Sequence, residues 1–175
     1  MSFNQFMHPR NIYRNKPNYT ELANKYNDFK DNVCFDDSGN AHVNYNDLKA
    51  LRALTKTLLK HDFNLDVEIP EGRLVPTLPM RLNYLLWIED LLQQLSINGG
   101  DREVIGFDIG TGCCAIFPLL GTRMNLNWKF LASDIDEINL KYSKKNIEKN
   151  SLQDRIKGKI QISTNFHLFL INFFL

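Results

Sequence analysis

Apolar residues recur at helical spacing through much of the first half of the chain. Leucines at positions 48, 51, 54, 58 and 59 share one face and predict an amphipathic helix, which Asp47 or Asn46 caps. A second leucine-rich helix is predicted after Pro76 and Pro79 and extends to position 95. Thr20 is expected to cap a short third helix that contains residues 22–26.

Shorter apolar runs in the same half predict extended structure. Residues 33–35 and 41–43 flank a loop rich in Asp, Ser, Gly and Asn, which is typical of a hairpin. Residues 65–69 are expected to form a strand that ends at a proline. Residues 8–17 are basic and aromatic without an apolar period, so we expect an extended arm there.

The second half changes to strands that alternate with helices. Residues 104–108 are mostly apolar, as in a central parallel strand that is covered on both faces. Residues 128–134 and 158–162 predict two further strands, and a helix is expected between them as far as Asn150. Strands alternating with helices are typical of an α/β fold with a parallel sheet.

The first of these strands runs into a glycine turn with the pattern D-x-G-x-G, formed by Asp108, Gly110 and Gly112. Residues 110–115 also fit the G-x-G-x-x-G/A fingerprint of NAD and FAD sites. A carboxylate at position 108 would repel a pyrophosphate, whereas S-adenosylmethionine (SAM) carries a cationic sulfonium and an ammonium group. The acid therefore favours SAM, with a dinucleotide or a turn without ligand as the alternatives.

A second acid, Asp134, lies at the end of the next strand, 26 residues after Asp108. In nucleotide-binding α/β folds an acid at this point accepts hydrogen bonds from ribose hydroxyls. We therefore expect Asp134 to bind ribose rather than to cap a helix. Asp136 and Glu137 follow at once, and their expected role is to cap the next helix and complement its dipole.

Composition and charge narrow the classes of protein. The 175 residues are 43% hydrophobic and 23% charged, as in an ordinary globular domain, and the net charge of +1 requires any nucleic-acid binding to be local. Three cysteines, two of them adjacent, show neither a disulfide framework nor zinc spacing. We therefore expect a reducing compartment, the nucleus or the cytoplasm, with no metal site, no signal peptide and no membrane span.

Several motifs occur together in one order. They are M-H-P-R-N at 7–11, K-P at 16–17, Y-N-D-F-K at 26–30, R-L-V-P-T-L-P-M-R-L-N-Y at 73–84 and D-I-G-T-G at 108–112. Over roughly residues 3–160 the chain resembles the RNA adenine-N(6) methyltransferases that modify U6 small nuclear RNA and, in bacteria, 23S ribosomal RNA. The resemblance implies an incomplete Rossmann-like class I SAM-dependent methyltransferase domain, preceded by a small mixed α/β N-terminal module.

The resemblance also implies site residues. Arg81 matches an arginine that pairs with the methionine carboxylate of SAM, and Gly110 matches the close backbone approach to the cofactor. Asp134 lies where the family has a ribose-binding glutamate, so its reach is shorter. The segment that matches the family's RNA-contacting arm contains Arg10, Arg14, Lys16 and Pro17.

One family motif is missing. Adenine-N(6) methyltransferases of this kind carry Asn/Asp-Pro-Pro followed by an aromatic residue, which holds the adenine amine and stacks on the flipped base. The six prolines of this chain include no adjacent pair, so no catalytic residue is assigned. Residues 163–175 are rich in Phe and Leu and lack Asp, Glu, Lys and Arg, and we interpret them as an aberrant apolar tail of a truncated product.

The expected organisation is therefore an RNA-contacting module at 1–78, the first half of a SAM-binding domain at 79–162, and the tail at 163–175. The expected function by family is methyl transfer from SAM to adenine N(6) in structured RNA such as U6, although activity of this chain is doubtful without the tetrapeptide. Two alternatives are a noncatalytic RNA-binding fragment and an NAD-dependent enzyme.

Overall fold

The computed structural model describes residues 7–95 and 103–160. Residue contacts divide the chain into two units, Met1–Arg102 and Glu103–Leu175, and each is described by itself. The functional boundary between residues 78 and 79 stays a prediction. The apolar tail at 163–175 lies outside the described residues, as do residues 161 and 162 at the end of the third expected strand.

The first unit is mainly helical, and its two long helices confirm the predicted helices, although Leu48, which was expected on the apolar face, is 65% exposed. Leu54, Leu58 and Leu59 of the first long helix and Leu82 and Leu85 of the second are buried. The elements are a 3₁₀ turn Ile12–Arg14, α1 Tyr19–Lys25, α2 Asn27–Lys30, β1 Cys34–Phe35, β2 Ala41–His42, α3 Leu48–Phe63 and α4 Leu78–Leu95. Strands β1 and β2 pair antiparallel, so the predicted hairpin is confirmed.

Helix caps were predicted correctly for α3 and wrongly for α1. The Asp47 carboxylate accepts the Lys49 amide at 2.8 Å and begins α3. At α1 the cap is Asn18, whose side chain accepts the Glu21 amide at 3.2 Å. Thr20 lies inside the first turn, and its hydroxyl instead accepts the Ala41 amide of β2 at 2.9 Å. The hydroxyl thus anchors the hairpin, a long-range contact that local sequence does not show.

The predicted strand at residues 65–69 is wrong, although its side chains alternate as expected. Leu65, Val67 and Ile69 are buried and the residues between them are partly exposed. No strand is recorded here among the described residues of the first unit. Alternating burial requires only an extended backbone, whereas a strand also needs a neighbour that completes its hydrogen-bond ladder.

Residues 8–17, here called the basic segment, are folded rather than an extended arm. The Asn11 side chain is buried, donates to the Pro79 carbonyl at 2.9 Å, and accepts the Tyr13 amide at 3.0 Å. The Tyr13 hydroxyl donates to the Asp62 carboxylate at 2.7 Å. The expectation of an arm was wrong because these polar partners on α3 and α4 lie far away in the sequence.

The second unit alternates strands and helices, which confirms the α/β prediction. Its elements are β3 Val104–Ile109, α5 Ile116–Met124, β4 Trp128–Asp134, α6 Glu137–Lys149 and β5 Ile156–Ile160. The three strands are parallel in the order β3-β4-β5. Strand β3 ends one residue later than expected, and β5 begins two residues earlier.

Strand β3 is not covered on both faces, which corrects the expectation of a central strand. Ile105 and Ile109 are 41% and 61% exposed, and Phe107 is exposed between them. Within the described sheet β3 pairs only with β4, so β4 is the central strand. Its residues 130–134 are all buried, a continuous burial that is typical of a central parallel strand.

The Phe130 ring of β4 lies between two glycines. A Cβ atom added to Gly106, its partner on β3, would lie 2.5 Å from the ring, and one added to Gly121 on α5 would also lie at 2.5 Å. Any side chain at either position would overlap the ring. The two glycines therefore allow α5 to pack closely on the sheet over the Phe130 ring.

Candidate cofactor site and basic segment

The turn between β3 and α5 depends on glycine for its backbone conformation. Gly110 and Gly112 have φ angles of +79° and +66°, where a side chain is strained. A Cβ atom added to either glycine would meet no atom within 4 Å. Their role is therefore conformational, and the space beside the turn is open to a ligand.

Neighbouring elements hold this turn by hydrogen bonds to its backbone. The amides of Gly110 and Thr111 both donate to the Ser133 carbonyl of β4, at 2.8 Å and 2.9 Å. The buried Asn146 side chain of α6 donates to the Cys113 carbonyl at 3.1 Å. The turn is thus fixed from both sides, which preorganises it for binding.

Asp134, at the end of β4, is the second predicted cofactor residue that reaches this turn. Its Oδ2 accepts the Gly112 amide at 2.8 Å, while Oδ1 accepts the Asp136 amide at 2.9 Å and the Asn139 side-chain amide at 3.3 Å. The carboxylate is buried. It therefore joins the end of one strand to the glycine turn that follows the other.

Asp108 lies near the end of β3, two residues before Gly110. Its Oδ2 accepts the Thr111 hydroxyl at 2.6 Å. Burial raises the pKa of Asp108 above the ordinary 3.8, the Thr111 hydrogen bond opposes that rise, and the charge of Asp134 adds to it. Two mutually repelling carboxylates therefore flank the glycines.

This arrangement favours a ligand that carries positive charge or hydroxyl groups. A cation near Asp108 would offset the burial and the repulsion by Asp134 that together raise the pKa of Asp108, and a hydroxyl could donate to Asp134. A pyrophosphate would add two negative charges beside two carboxylates. The structure thus brings Asp108, Gly110, Gly112 and Asp134 together at one turn, as the sequence predicted.

Arg81 belongs to the first unit, in the first turn of α4. Its amide donates to the Thr77 carbonyl at 3.2 Å, and its side chain is half-buried. Pro79 lies within the first turn of α4, where a proline is tolerated because the amide there has no helical acceptor. The cofactor role of Arg81 stays a prediction.

The four predicted RNA-contacting residues differ in their surroundings. Arg10 donates to the Glu89 carboxylate at 2.7 Å, to the Asp90 carboxylate at 2.5 Å and to the Leu86 carbonyl at 3.2 Å. Arg14 and Lys16 are exposed, and no carboxylate among the described residues pairs with either. Pro17 is half-buried. The basic segment thus presents two unpaired cations and one that is already neutralised.

Asp90, one of the two acids that contact Arg10, also binds His8. His8 Nε2 lies 2.7 Å from Asp90 Oδ2. The hydrogen bond from His8 and the charge of Arg10 lower the pKa of Asp90, and hydrogen bonding to Glu89 raises the pKa of Arg10. This cluster ties the start of the basic segment to α4.

Sequence reasoning missed the polar residues that support the turn. Thr111, Asn139 and Asn146 each make one of the hydrogen bonds described above. Thr111 could have been found, since it lies inside the D-x-G-x-G motif. The two asparagines lie on α6, and nothing in their local sequence marks them.

Two further kinds of feature are absent from the described residues. Between residues 7 and 95 and between 103 and 160, no group of three or more His, Cys, Asp or Glu side chains could hold a metal ion. Over the same ranges, no helix has both the length and the apolar character needed to cross a bilayer.

A parallel α/β sheet with an acidic glycine turn at its strand ends defines a nucleotide-type cofactor-binding fold. A family model described as RNA methyltransferase matches residues 1–170. The chain therefore belongs to this RNA methyltransferase family, which confirms the resemblance found in its motifs.

Named relatives agree with that family. The chain is 48% identical over 160 residues to the Xenopus laevis RNA N(6)-adenosine-methyltransferase mettl16, which covers 90% of this chain and 28% of the relative. It is 42% identical over 151 residues to the Drosophila melanogaster U6 small nuclear RNA (adenine-(43)-N(6))-methyltransferase, covering 86% and 48%. The chain thus spans less than half the length of these relatives.

Solved structures match the fold. The N-terminal domain of human METTL16 in complex with SAH has a TM-score of 0.83 at 45% identity, covering 90% of this chain and 60% of that one. The human catalytic domain in complex with the MAT2A 3'UTR hairpin 1 has a TM-score of 0.80 at 46% identity, covering 89% and 51%. These matches confirm the Rossmann-like fold class.

Proposed function

We propose that this chain supplies the SAM-binding turn and the RNA-contacting segment of an RNA adenine-N(6) methyltransferase. The observation that carries the proposal is the glycine turn flanked by Asp108 and Asp134, in a chain of the RNA methyltransferase family. The human relative was solved with SAH, the demethylated form of the cofactor, which supports SAM over the dinucleotide alternative.

Each turn residue has a distinct proposed role. SAM would supply a methyl group activated by its sulfonium charge. Asp108 contributes negative charge that favours this cation, and Gly110 and Gly112 allow the backbone to approach the ligand. Arg81 lies outside the turn, in the first unit, and its proposed role rests on the family resemblance alone: its planar, two-pronged guanidinium suits a carboxylate such as that of methionine.

Asp134 retains room for a ribose hydroxyl despite its contacts within the protein. A carboxylate offers about four acceptor positions. Among the described residues, two hydrogen bonds occupy Oδ1 and one occupies Oδ2, which leaves one acceptor position of Oδ2 for a ligand. Asp134 therefore holds the turn and binds the ribose at the same time.

RNA binding is proposed for the basic segment. Arg14 and Lys16 are exposed cations suited to phosphate contacts, and Pro17 follows them directly. One relative is named as a methyltransferase of U6 small nuclear RNA, and one human structure contains an RNA hairpin. We propose a structured RNA such as U6 as the partner, and hence a nuclear location.

The proposed contribution of this chain is binding rather than chemistry. Its sequence has no adjacent prolines and therefore no Asn-Pro-Pro-Phe motif to hold the adenine amine. The second candidate function is a noncatalytic RNA-binding fragment, which the unpaired Arg14 and Lys16 favour. Binding of SAH separates the two candidates.

Calorimetry with SAH on the 175-residue chain tests the site, with Gly110→Ala as the main variant. Gly39 in the β1–β2 hairpin is a matched control, because it also has a φ of +79° and open space around it. Alanine at either position should lower the free energy of unfolding by about 1–2 kcal/mol. Only Gly110→Ala should also weaken SAH binding, by about tenfold or more, since its methyl group enters the ligand space.

Equal SAH affinity in both variants and the parent chain would show that the turn does not contact the cofactor. Tight binding of NADH without SAH binding would restore the dinucleotide alternative. Salt-dependent RNA binding without SAH binding would support the noncatalytic candidate.

A further inference from the structure

The first unit contains an apolar cavity outside the cofactor turn. Its volume is 230 Å³, and its walls include Tyr19, Tyr45, Leu54, Leu58 and Pro17. Among the lining residues Leu54 and Leu58 are buried, whereas Tyr45 is 37% exposed. The cavity therefore combines buried apolar walls with a partly exposed tyrosine, and we call it the tyrosine pocket.

The size of the tyrosine pocket suits one planar ring system. A cavity of about 150 Å³ holds a benzene-sized ring, and pockets for drug-sized ligands measure roughly 300–1,000 Å³. At 230 Å³ the pocket falls between these limits. It is large enough for a single nucleobase and too small for most larger cofactors.

Two tyrosines give the pocket a polar edge. The hydroxyls of Tyr19 and Tyr45 lie 2.8 Å apart, so one donates to the other and one proton remains for a ligand. Burial and this hydrogen bond raise the pKa of Tyr19, which keeps its hydroxyl protonated. An apolar floor with a few polar groups at the edge is typical of sites that bind a heteroaromatic ring.

Positive charge lies beside the same pocket. Lys16 lines it, with Nζ 5.0 Å from the centre of the Tyr19 ring, and no carboxylate among the described residues pairs with Lys16. Arg14, two residues earlier, is not among the lining residues but is exposed, and no carboxylate in the described part of the chain pairs with it. The complement of this arrangement is a planar apolar ring linked to an anionic group, which is the chemistry of a nucleotide.

We propose that the tyrosine pocket binds one unpaired nucleobase of an RNA strand whose phosphates contact Lys16 and Arg14. This inference rests on the RNA binding proposed above and adds a subsite to it. Recognition of single unpaired bases on aromatic side chains is common in RNA-binding proteins, because every base offers a ring face for stacking. The pocket would thus favour an RNA with an unpaired base over a fully paired stem.

Fluorescence anisotropy on the 175-residue chain tests the proposal with two hairpins of identical stem. One has a single unpaired adenosine, replaced by 2-aminopurine for a parallel quenching measurement, and the other is fully paired. We expect about tenfold tighter binding of the first hairpin and quenching of its probe. Tyr45→Ala should remove this preference.

Two further variants test whether the preference depends on the Tyr45 ring in the pocket rather than on any exposed tyrosine. Tyr84→Ala removes another exposed tyrosine, 49% exposed on α4 and outside the pocket, and should leave the preference intact. Tyr45→Phe retains the ring and should retain most of the preference. Since Tyr45 is already partly exposed, its variants are expected to fold, which circular dichroism checks.

A preference that survives Tyr45→Ala, or no preference between the hairpins, would overturn the pocket proposal while RNA binding itself still stands. If neither hairpin binds, RNA binding fails, and a titration with adenosine 5′-monophosphate decides the pocket separately. Tyr45-dependent binding of this nucleotide would support the pocket, and its absence would overturn it. Binding of indole but not of the nucleotide would identify a site for an apolar side chain and also overturn it.

Discussion

The glycine turn and the basic segment are both well folded, but different kinds of contact hold them. The turn is held largely through its own backbone, by amides that donate to Ser133 and Asp134. The basic segment is held by side chains, and the partners of Asn11 and Arg10 lie 68 and 80 residues further along the chain. A backbone turn can be deduced from a short motif, whereas pairs of distant side chains need the folded structure.

The largest expected effect is on methyl transfer, when the Asn-Pro-Pro-Phe motif that neither region contains is added to the chain. The 175-residue chain should transfer no methyl group to U6-type hairpins, because neither region holds the adenine amine in line with the methyl donor. Replacing the residues after Ile160 with a relative's continuation that contains Asn-Pro-Pro-Phe should raise the rate at least about 10³-fold in a radiolabelled-methyl assay.

The matched control is the same chimera with alanine in place of the motif's asparagine, which should return the signal to background. Turnover by the unmodified 175-residue chain would contradict the proposal that its two regions only bind.

An intermediate effect should separate residues within the basic segment. Arg14→Ala with Lys16→Ala should weaken binding to unrelated RNA sequences and reduce the slope of log affinity against log salt by about 0.7–0.9 per lost phosphate contact. Arg10→Ala should change the slope little, because Glu89 and Asp90 already neutralise that cation.

Anisotropy titrations at several salt concentrations measure both variants. An equal loss of slope for Arg10→Ala would mean that RNA displaces the two acids from Arg10. The basic segment would then act as one continuous cationic surface.

The smallest effect concerns the electrostatic cost of the turn. Burial and the charge of Asp134 raise the pKa of Asp108 in the folded chain above the ordinary 3.8. As the pH rises above 3.8, the Asp108 carboxyl therefore ionises first in the unfolded chain. The folded state loses stability until Asp108 ionises there as well. Asp108→Asn should therefore raise the free energy of unfolding at pH 7 by about 0.5–1 kcal/mol.

This gain should vanish below pH 3.8, where the carboxyl is protonated in both states. The same variant should bind SAH more weakly than the parent chain. Urea unfolding at pH 7 and pH 3.5 measures the stability, and a gain that does not depend on pH would exclude an ionised Asp108 as its cause.

Local patterns predicted most of the second unit because each element there carries its own signal. Asp136 caps α6 as expected, since its carboxylate accepts the Ile138 and Asn139 amides, and Gly110 and Gly112 have the positive φ angles that the turn requires. The exposure of Ile105 and Ile109 was not predicted, because an apolar run alone does not show whether both faces of a strand are covered.

The first unit was predicted less well for a related reason. Thr20 has the side chain of a helix cap, but its hydroxyl contacts Ala41 on the hairpin. Residues 65–69 alternate like a strand and yet pair with none of the described strands. In both cases the local preference is real, and the choice of partner depends on tertiary packing.

The packing of Phe130 between Gly106 and Gly121 also affects the dynamics of the second unit. A half-rotation of that ring sweeps out extra volume, so we expect it to require a brief movement of α5 away from the sheet. The glycine turn joins β3, which carries Gly106, to α5, which carries Gly121. A ligand that stiffens the turn should therefore slow the rotation of the ring. Line shapes of the ring protons in magnetic resonance spectra would then report ligand binding without any label on the ligand.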